Sequence, residues 1–226
     1  MNDRGYKRPI PTYLPFPDLA PTRQNGRRQS NMSPKSLYPP FNPNEIYPVR
    51  EDTCLLLDLA MKEAHPSDRI IEVGTGSGYI AQQLHRKVAL MVATDINPHA
   101  VLAVGEKGID VIRTDLLAGV CGSFTLVLFN PPYLPTRPED RIPDWLEYAL
   151  DGGFTGRDVI VRFSKQVSRV LSRQGRILLL ASSLTGKKQI QDIFKQRGFD
   201  GKIVAEKIIE DEELFVYRFQ RTPESV

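Results

Sequence analysis

"RIIEVGTGSGYIAQQL", residues 69–84, runs from a short apolar segment through three alternating glycines into a pattern of apolar residues at helical spacing. The first five residues are rich in β-branched side chains and read as a buried strand. Ile80, Ala81 and Leu84 repeat at the spacing of one helix face. Between them Gly74, Gly76 and Gly78 stand where the chain must turn sharply and where a ligand can approach bare backbone. Strand, glycine turn and helix together make the opening unit of a parallel sheet.

The flanks repeat that unit. Upstream, "EDTCLLLDLAMKEA" (51–64) carries Leu55, Leu56, Leu59 and Met61 on a helical face behind an acidic start. Downstream, the pattern predicts helix over 79–88, a strand "LMVAT" (90–94) and a helix opening at Pro98. Further strands follow at "DVIR" (110–113) and "FTLVLF" (124–129), then a long helix over 158–173 and a strand "RILLLA" (176–181). Five short strands separated by helices predict an α/β, doubly wound, Rossmann-like sheet. After a helix over 187–197, "KIVAEKI" (202–208) and "LFVYRF" (214–219) are joined by a turn too short for a crossover. They should form a hairpin, with the last strand antiparallel to the sheet.

At 226 residues and 41% hydrophobic, the chain has the size of one such domain plus an appendage. Residues 1–50 carry eight Lys and Arg against three Asp and Glu, so +5 of the net +3 lies there and −2 is left for the rest. Prolines recur throughout residues 1–45, which are expected to form a basic, disordered extension with the domain proper at 46–226. Met32 is an alternative start. Cys54 and Cys121 match no CxxC spacing, and His65, His85 and His99 have no ligand spacing, so no metal site or disulfide is expected. No apolar run is long enough for a membrane span and no signal sequence stands at Met1, which points to the cytoplasm.

Three acids sharpen the ligand. Glu72 closes the first strand, Asp95 the second, 21 residues after Gly74, and Asp115 the third. All three fall at the carboxyl edge of the sheet, where open α/β folds bind ligands. Asp95 can take both hydroxyls of a ribose, and Asp115 with the backbone at Leu116 an adenine edge. No Lys or Arg accompanies the glycine turn to meet a pyrophosphate, so a nucleoside without a phosphate cradle is implied.

"EVGTGSG" followed by Asp95 and by "NPPY" (130–133) resembles the class I S-adenosylmethionine-dependent methyltransferases. "YPVREDTCLLLDLA", "TDINPHA", "TDLL", "FNPPYLP" and "ALDGGFTGRDVIVRF" narrow the likeness to the HemK-related family. They are most similar to its archaeal and eukaryotic branch, which methylates the glutamine of a release factor's Gly-Gly-Gln motif. The resemblance covers about residues 46–219 and implies a seven-stranded methyltransferase sheet with S-adenosyl-L-methionine as cofactor. It further implies cofactor contacts from Thr53, Glu72, Gly74, Gly76, Gly78, Asp95, Ile96, Asp115, Leu116 and Asn130, and no metal bound by this chain.

A glutamine amide nitrogen is planar and a poor nucleophile, so orientation must carry much of the catalysis. Asn130 through its side-chain oxygen and Pro131 through its carbonyl can accept the two amide N–H bonds, drawing electron density onto nitrogen. Pro131 and Pro132 stiffen the loop, and Tyr133 can pack on the amide plane and exclude water. Asn130, Pro131 and Tyr133 are thus the expected catalytic set, with Pro132 completing the substrate site. Exocyclic amines of adenine or guanine are equally planar, which leaves nucleic-acid methylation as the alternative; the −2 charge of the domain argues against it. The turn in "ALDGGFTGRD" reads either as a helix entry or as a substrate gate, and residues 137–145 as a mobile rim where a peptide lies. The resemblance also implies a partner: a small zinc-binding activator forming a heterodimer by adding strands beside residues 109–113, an edge with no proline or lysine to block pairing.

Overall fold

The computed structural model describes residues 40–141 and 144–223. Most of the extension expected over residues 1–45, the alternative start at Met32 and part of the rim expected over 137–145 lie outside these residues. Seven strands form one sheet in the order β3-β2-β1-β4-β5-β7-β6: β1 Arg69–Val73, β2 Leu90–Asp95, β3 Asp110–Arg113, β4 Phe124–Phe129, β5 Leu171–Ser182, β6 Phe199–Ile209 and β7 Glu212–Arg221. β1 to β5 are parallel, and β7 runs antiparallel to both β5 and β6. The expected hairpin at the end of the chain is therefore present.

Helices α1 (Glu51–Glu63), α2 (Tyr79–Leu84), α3 (Pro98–Glu106), α4 (Trp145–Leu150), α5 (Asp158–Gln166) and α6 (Lys187–Lys195) connect and cover the strands. Because strand side chains alternate, the central strands feed two cores. Ile71, Val73, Val127, Phe129, Ile177 and Leu179 meet Ile160 and Phe163 of α5 and Ile190 and Phe194 of α6 on one face. Ile70, Leu126, Leu128, Leu178 and Leu180 meet Leu56 and Ala60 of α1, Ile80 and Leu84 of α2 and Val104 of α3 on the other. Each fully buried Leu, Ile or Phe contributes roughly 1.5–3 kcal/mol, so most of the stability lies in these layers.

Arg176 ties the amino-terminal ends of the strands together by reaching Glu63 at 3.3 Å and Asp68 at 2.9 Å. Burial opposes the charge on Asp68, but hydrogen bonds from Arg176, Thr125 and the His65 backbone outweigh it and hold the carboxyl at about 2.

Four elements differ from the sequence expectations. The helix expected over 158–173 stops at Gln166, with a 3-10 turn over Val167–Arg169, and Leu171 already pairs with Phe124. Val167, Val170 and Leu171 are all buried, so their apolar spacing fits a strand entry as well as a helix. The helix from Tyr79 ends at Leu84 rather than 88, and α4 forms over residues for which no helix was expected. Residues 40–45, placed in the extension, belong to the ordered domain: Pro43–Glu45 form a 3-10 turn, and the Asn42 N–H donates to His99 Nδ1 at 3.2 Å.

Candidate active site

The carboxyl ends of β1, β2 and β4 converge on the glycine turn. Gly74, Gly76 and Gly78 all adopt positive φ, at 64°, 53° and 71°. A Cβ on Gly78 would stand 2.5 Å from the Val104 side chain, so this glycine lets α3 pack beneath the turn. Asp95 accepts from the Gly76 N–H at 2.8 Å and the Asn97 N–H at 2.9 Å, one bond to each carboxylate oxygen. Burial nevertheless raises its carboxyl, with those bonds opposing.

Glu72 points beneath the loop. Its Oε2 accepts from Thr75 Oγ1 at 2.8 Å and from the Ala81 N–H at 3.0 Å, which pins the turn to the start of α2. Burial pushes its carboxyl up to about 8, with the neighbouring Asp95 charge adding to the rise. Asp115 pairs with Arg162 of α5. Leu116 beside it has φ +56°, one of only two positive-φ residues other than glycine among those described. Such a left-handed residue is costly and concentrates at ligand sites. The half-buried Ile96 follows β2, and its carbonyl takes the Arg113 guanidinium at 3.3 Å.

A strap of residues 40–50 crosses this region. Asn97 Nδ2 donates to the Glu45 carbonyl at 2.7 Å, and a Cβ on Gly76 would lie 3.5 Å from Tyr47. Glycine turn, Asp95, Ile96 and Leu116 thus share one rim with Tyr47, and the donor set suits a ribose and a base without phosphate.

The second half of the site hangs on Asp52, which sequence reasoning did not single out. Asp52 is 3% exposed at the start of α1. Its Oδ2 accepts from Tyr47 Oη at 2.8 Å, Asn130 Nδ2 at 3.0 Å and Tyr133 Oη at 3.5 Å. Its Oδ1 accepts from Thr53, through the backbone N–H at 2.6 Å and the hydroxyl at 3.2 Å. Thr53, expected at the cofactor, therefore spends its hydroxyl on Asp52. Burial first, and then the Asp52 charge, raise both the Tyr47 and Tyr133 phenols, so both remain protonated donors. An acceptor-only carboxylate must face the Asn130 NH2, and this sets which way the amide lies. Asn130 Oδ1 is left buried with no hydrogen-bond partner.

Pro131 is buried, Pro132 and Tyr133 are half-buried, and the chain beyond them is laced to the glycine turn of residues 151–156. The Leu134 N–H donates to Leu150, Gly152 to Leu134 and Thr136 to Gly153, at 2.9–3.2 Å. A Cβ on Gly156 would meet the Tyr133 carbonyl at 2.4 Å. "DGGFTGRD" is thus a buttress for the Asn130–Tyr133 loop, while its Phe154 stands 71% exposed.

No protein-family model matches the chain. It is 36% identical over 179 residues to a chain named as a protein N5-glutamine methyltransferase of Methanocaldococcus jannaschii, covering 76% of this chain and 90% of the relative. It is 32% identical over 195 residues to methyltransferase HEMK2 of Homo sapiens, covering 79% and 91%. Among solved structures, the Mtq2–Trm112 complex of E. cuniculi, described as responsible for methylating the translation termination factor eRF1, superposes with a TM-score of 0.67. That match has 28% identity and covers 79% of this chain and 99% of the other.

Proposed function

This chain belongs to the HemK-related protein N5-glutamine methyltransferases, and on that premise we propose that it methylates the side-chain nitrogen of the glutamine in a release factor's Gly-Gly-Gln segment. The observation that carries the reading is the buried, unpartnered Asn130 Oδ1. A buried acceptor without a donor costs about 1–3 kcal/mol, and an incoming amide N–H removes that cost.

S-adenosyl-L-methionine, when bound, supplies a methyl group whose departure leaves a neutral thioether and needs no general acid. Gly74, Gly76 and Gly78 give its nucleoside access to the backbone, Asp95 takes the ribose hydroxyls, Ile96 covers the base, and Asp115 with Leu116 meets the base edge. Glu72 and Thr53 serve at one remove, through the turn and through Asp52. Asn130 Oδ1 and the Pro131 carbonyl accept the two N–H bonds of the substrate amide, so its nitrogen gains electron density as it attacks; one of the two protons, acidic once the C–N bond has formed, then leaves to solvent. Tyr133, held on Asp52, packs against the amide and excludes water, with Pro132 stiffening the loop. Alignment of this kind is worth on the order of 7–11 kcal/mol.

The partner is a small zinc-binding activator whose strands extend the sheet beside residues 109–113. Among the described residues β3 pairs only with β2, and its Ile112 is 42% exposed, which supports that edge as the docking line. On this reading the activator supplies its own zinc ligands. No helix among the described residues is long and apolar enough to cross a membrane, and a translation factor as substrate supports a reaction in the cytoplasm.

Transfer of labelled methyl to purified release factor, tRNA and DNA, followed by mass spectrometry of the product, tests the reading. Label on the Gly-Gly-Gln glutamine alone is the expected result. Label on an adenine or guanine amine would replace it with the nucleic-acid alternative.

A further inference from the structure

Resting on that reading, we infer that Glu212 is a substrate-positioning residue whose Oε1 accepts a backbone N–H from the peptide segment carrying the target glutamine. Glu212 Oε1 is a buried side-chain oxygen with no partner, as Asn130 Oδ1 is.

The register of β7 places it. Ser182 at the carboxyl end of β5 pairs with Leu214, so Glu212 stands two residues beyond that end, on the rim that carries Asn130. The Glu213 N–H donates to Ser183 Oγ at 3.2 Å and holds the hairpin there. Along β7, Phe215, Tyr217 and Phe219 face the core under α5 and α6, whereas Val216 faces the core that contains Leu56 of α1 and that Tyr133 packs against. Alternation therefore turns Glu212 toward α1 and Tyr133. It turns Glu213 the other way, where Lys187 of α6 holds it at 2.7 Å. The Glu212 charge contributes to raising the Tyr133 phenol, after burial and Asp52. A hollow lined by Val49, Arg50, Glu51, Cys54 and Lys207 opens beside this hairpin and gives a chain room to lie.

The chemistry of the substrate explains the acceptor. The two glycines before the glutamine offer no side chain to grip, so their main chain must be recognised, and an N–H unshielded by a Cβ can reach a recessed oxygen. Asn130 holds the amide while Glu212 holds the backbone behind it. The backbone contact is made equally before and during transfer, so it holds the peptide in place as uniform binding.

The test uses the full chain co-expressed with its activator, a synthetic Gly-Gly-Gln peptide, and peptides in which each backbone N–H in turn is replaced by an ester oxygen. Glu212→Ala should raise the peptide KM about tenfold, as expected for loss of a hydrogen bond to a charged acceptor, with kcat changed by less than about twofold. Affinity for S-adenosylhomocysteine should not change. Glu212→Gln keeps the acceptor oxygen and should recover most of the loss. One ester peptide should cost the wild type about tenfold in kcat/KM and the alanine variant nothing more. The inference is overturned if every ester costs both enzymes equally, or if kcat falls at constant KM. It is also overturned if Glu212→Gln is as weak as Glu212→Ala with a loss that vanishes at high salt, which would assign Glu212 to a cationic side chain. A wild-type enzyme that leaves the peptide glutamine unmodified would instead defeat the functional reading itself.

Discussion

Asn130 owes its orientation to a carboxylate 78 positions away in the chain, since Asp52 takes its NH2 and leaves its oxygen buried without a donor. Asn130→Ala should therefore leave S-adenosylhomocysteine affinity nearly intact by calorimetry and lower methyl transfer by about 10²–10³-fold, the cost of a lost transition-state hydrogen bond. Near-normal turnover would refute the proposed role. Asp52→Ala should lower kcat as well, and also lower stability by about 1–3 kcal/mol, because it strands the Tyr47 and Thr53 donors. Glu72 predicts a pH effect. Its folded carboxyl, near 8, lies above its unfolded value, so its contribution is fully present below about 4.5 and is lost as pH rises through 8. The melting temperature should fall between pH 6 and 8.5, and Glu72→Gln should flatten that fall. At this scale the sequence was legible where a residue sits in a local pattern, as the glycines, Asp95 and Asn130 do. Asp52 reads locally as an acid favouring a helix start, and only the fold brings Asn130 to it.

Elements follow the same rule. Strands buried on both faces, such as β1 and β4, announce themselves as apolar runs, and six-residue α4 has no buried residue to mark it. The overrun of the helix from Asp158 has the same origin, because a shift of register, with Phe124 opposite Leu171 but Leu126 opposite Arg176, lets β5 begin five residues before the run that marks it. The packing of α3 against the glycine turn gives a direct test. Gly78→Ala forces a Cβ to 2.5 Å from Val104 at φ +71°, and should weaken S-adenosylhomocysteine binding and lower the melting temperature. Pairing it with Val104→Ala should restore part of the melting temperature, whereas no recovery would trace the damage to φ alone. At the opposite end of the sheet, Asp68 is held near 2, below its unfolded value. Its stabilisation is present above about 4 and lost as pH falls toward 2. Asp68→Asn should cost about 2 kcal/mol at neutral pH, measured by urea unfolding, and less in acid.

For the whole molecule, the parallel sheet and the antiparallel β7 were legible because connection lengths dictate them; the lacing of the 151–156 turn onto residues 134–136 was not, since backbone hydrogen bonds between loops leave no pattern in side chains. Deleting residues 1–31 should leave the melting temperature and transfer rate unchanged, because the strap, glycine turn and Asp52 all lie beyond it; a large loss of either would give the extension a role. The seating of asparagines across the site has one more consequence, which concerns chemical ageing. Asn42, Asn97 and Asn130 each precede a proline. Spontaneous conversion of asparagine to aspartate begins when the next backbone nitrogen attacks the side-chain carbonyl, and a proline nitrogen carries no proton to lose. Such a change at Asn130 would set a second carboxylate against Asp52. The chain instead offers Asn25 before Gly26 as its most labile amide, so peptide mapping after prolonged alkaline storage should find aspartate at position 25 well before any at 130, in enzyme that has kept its activity.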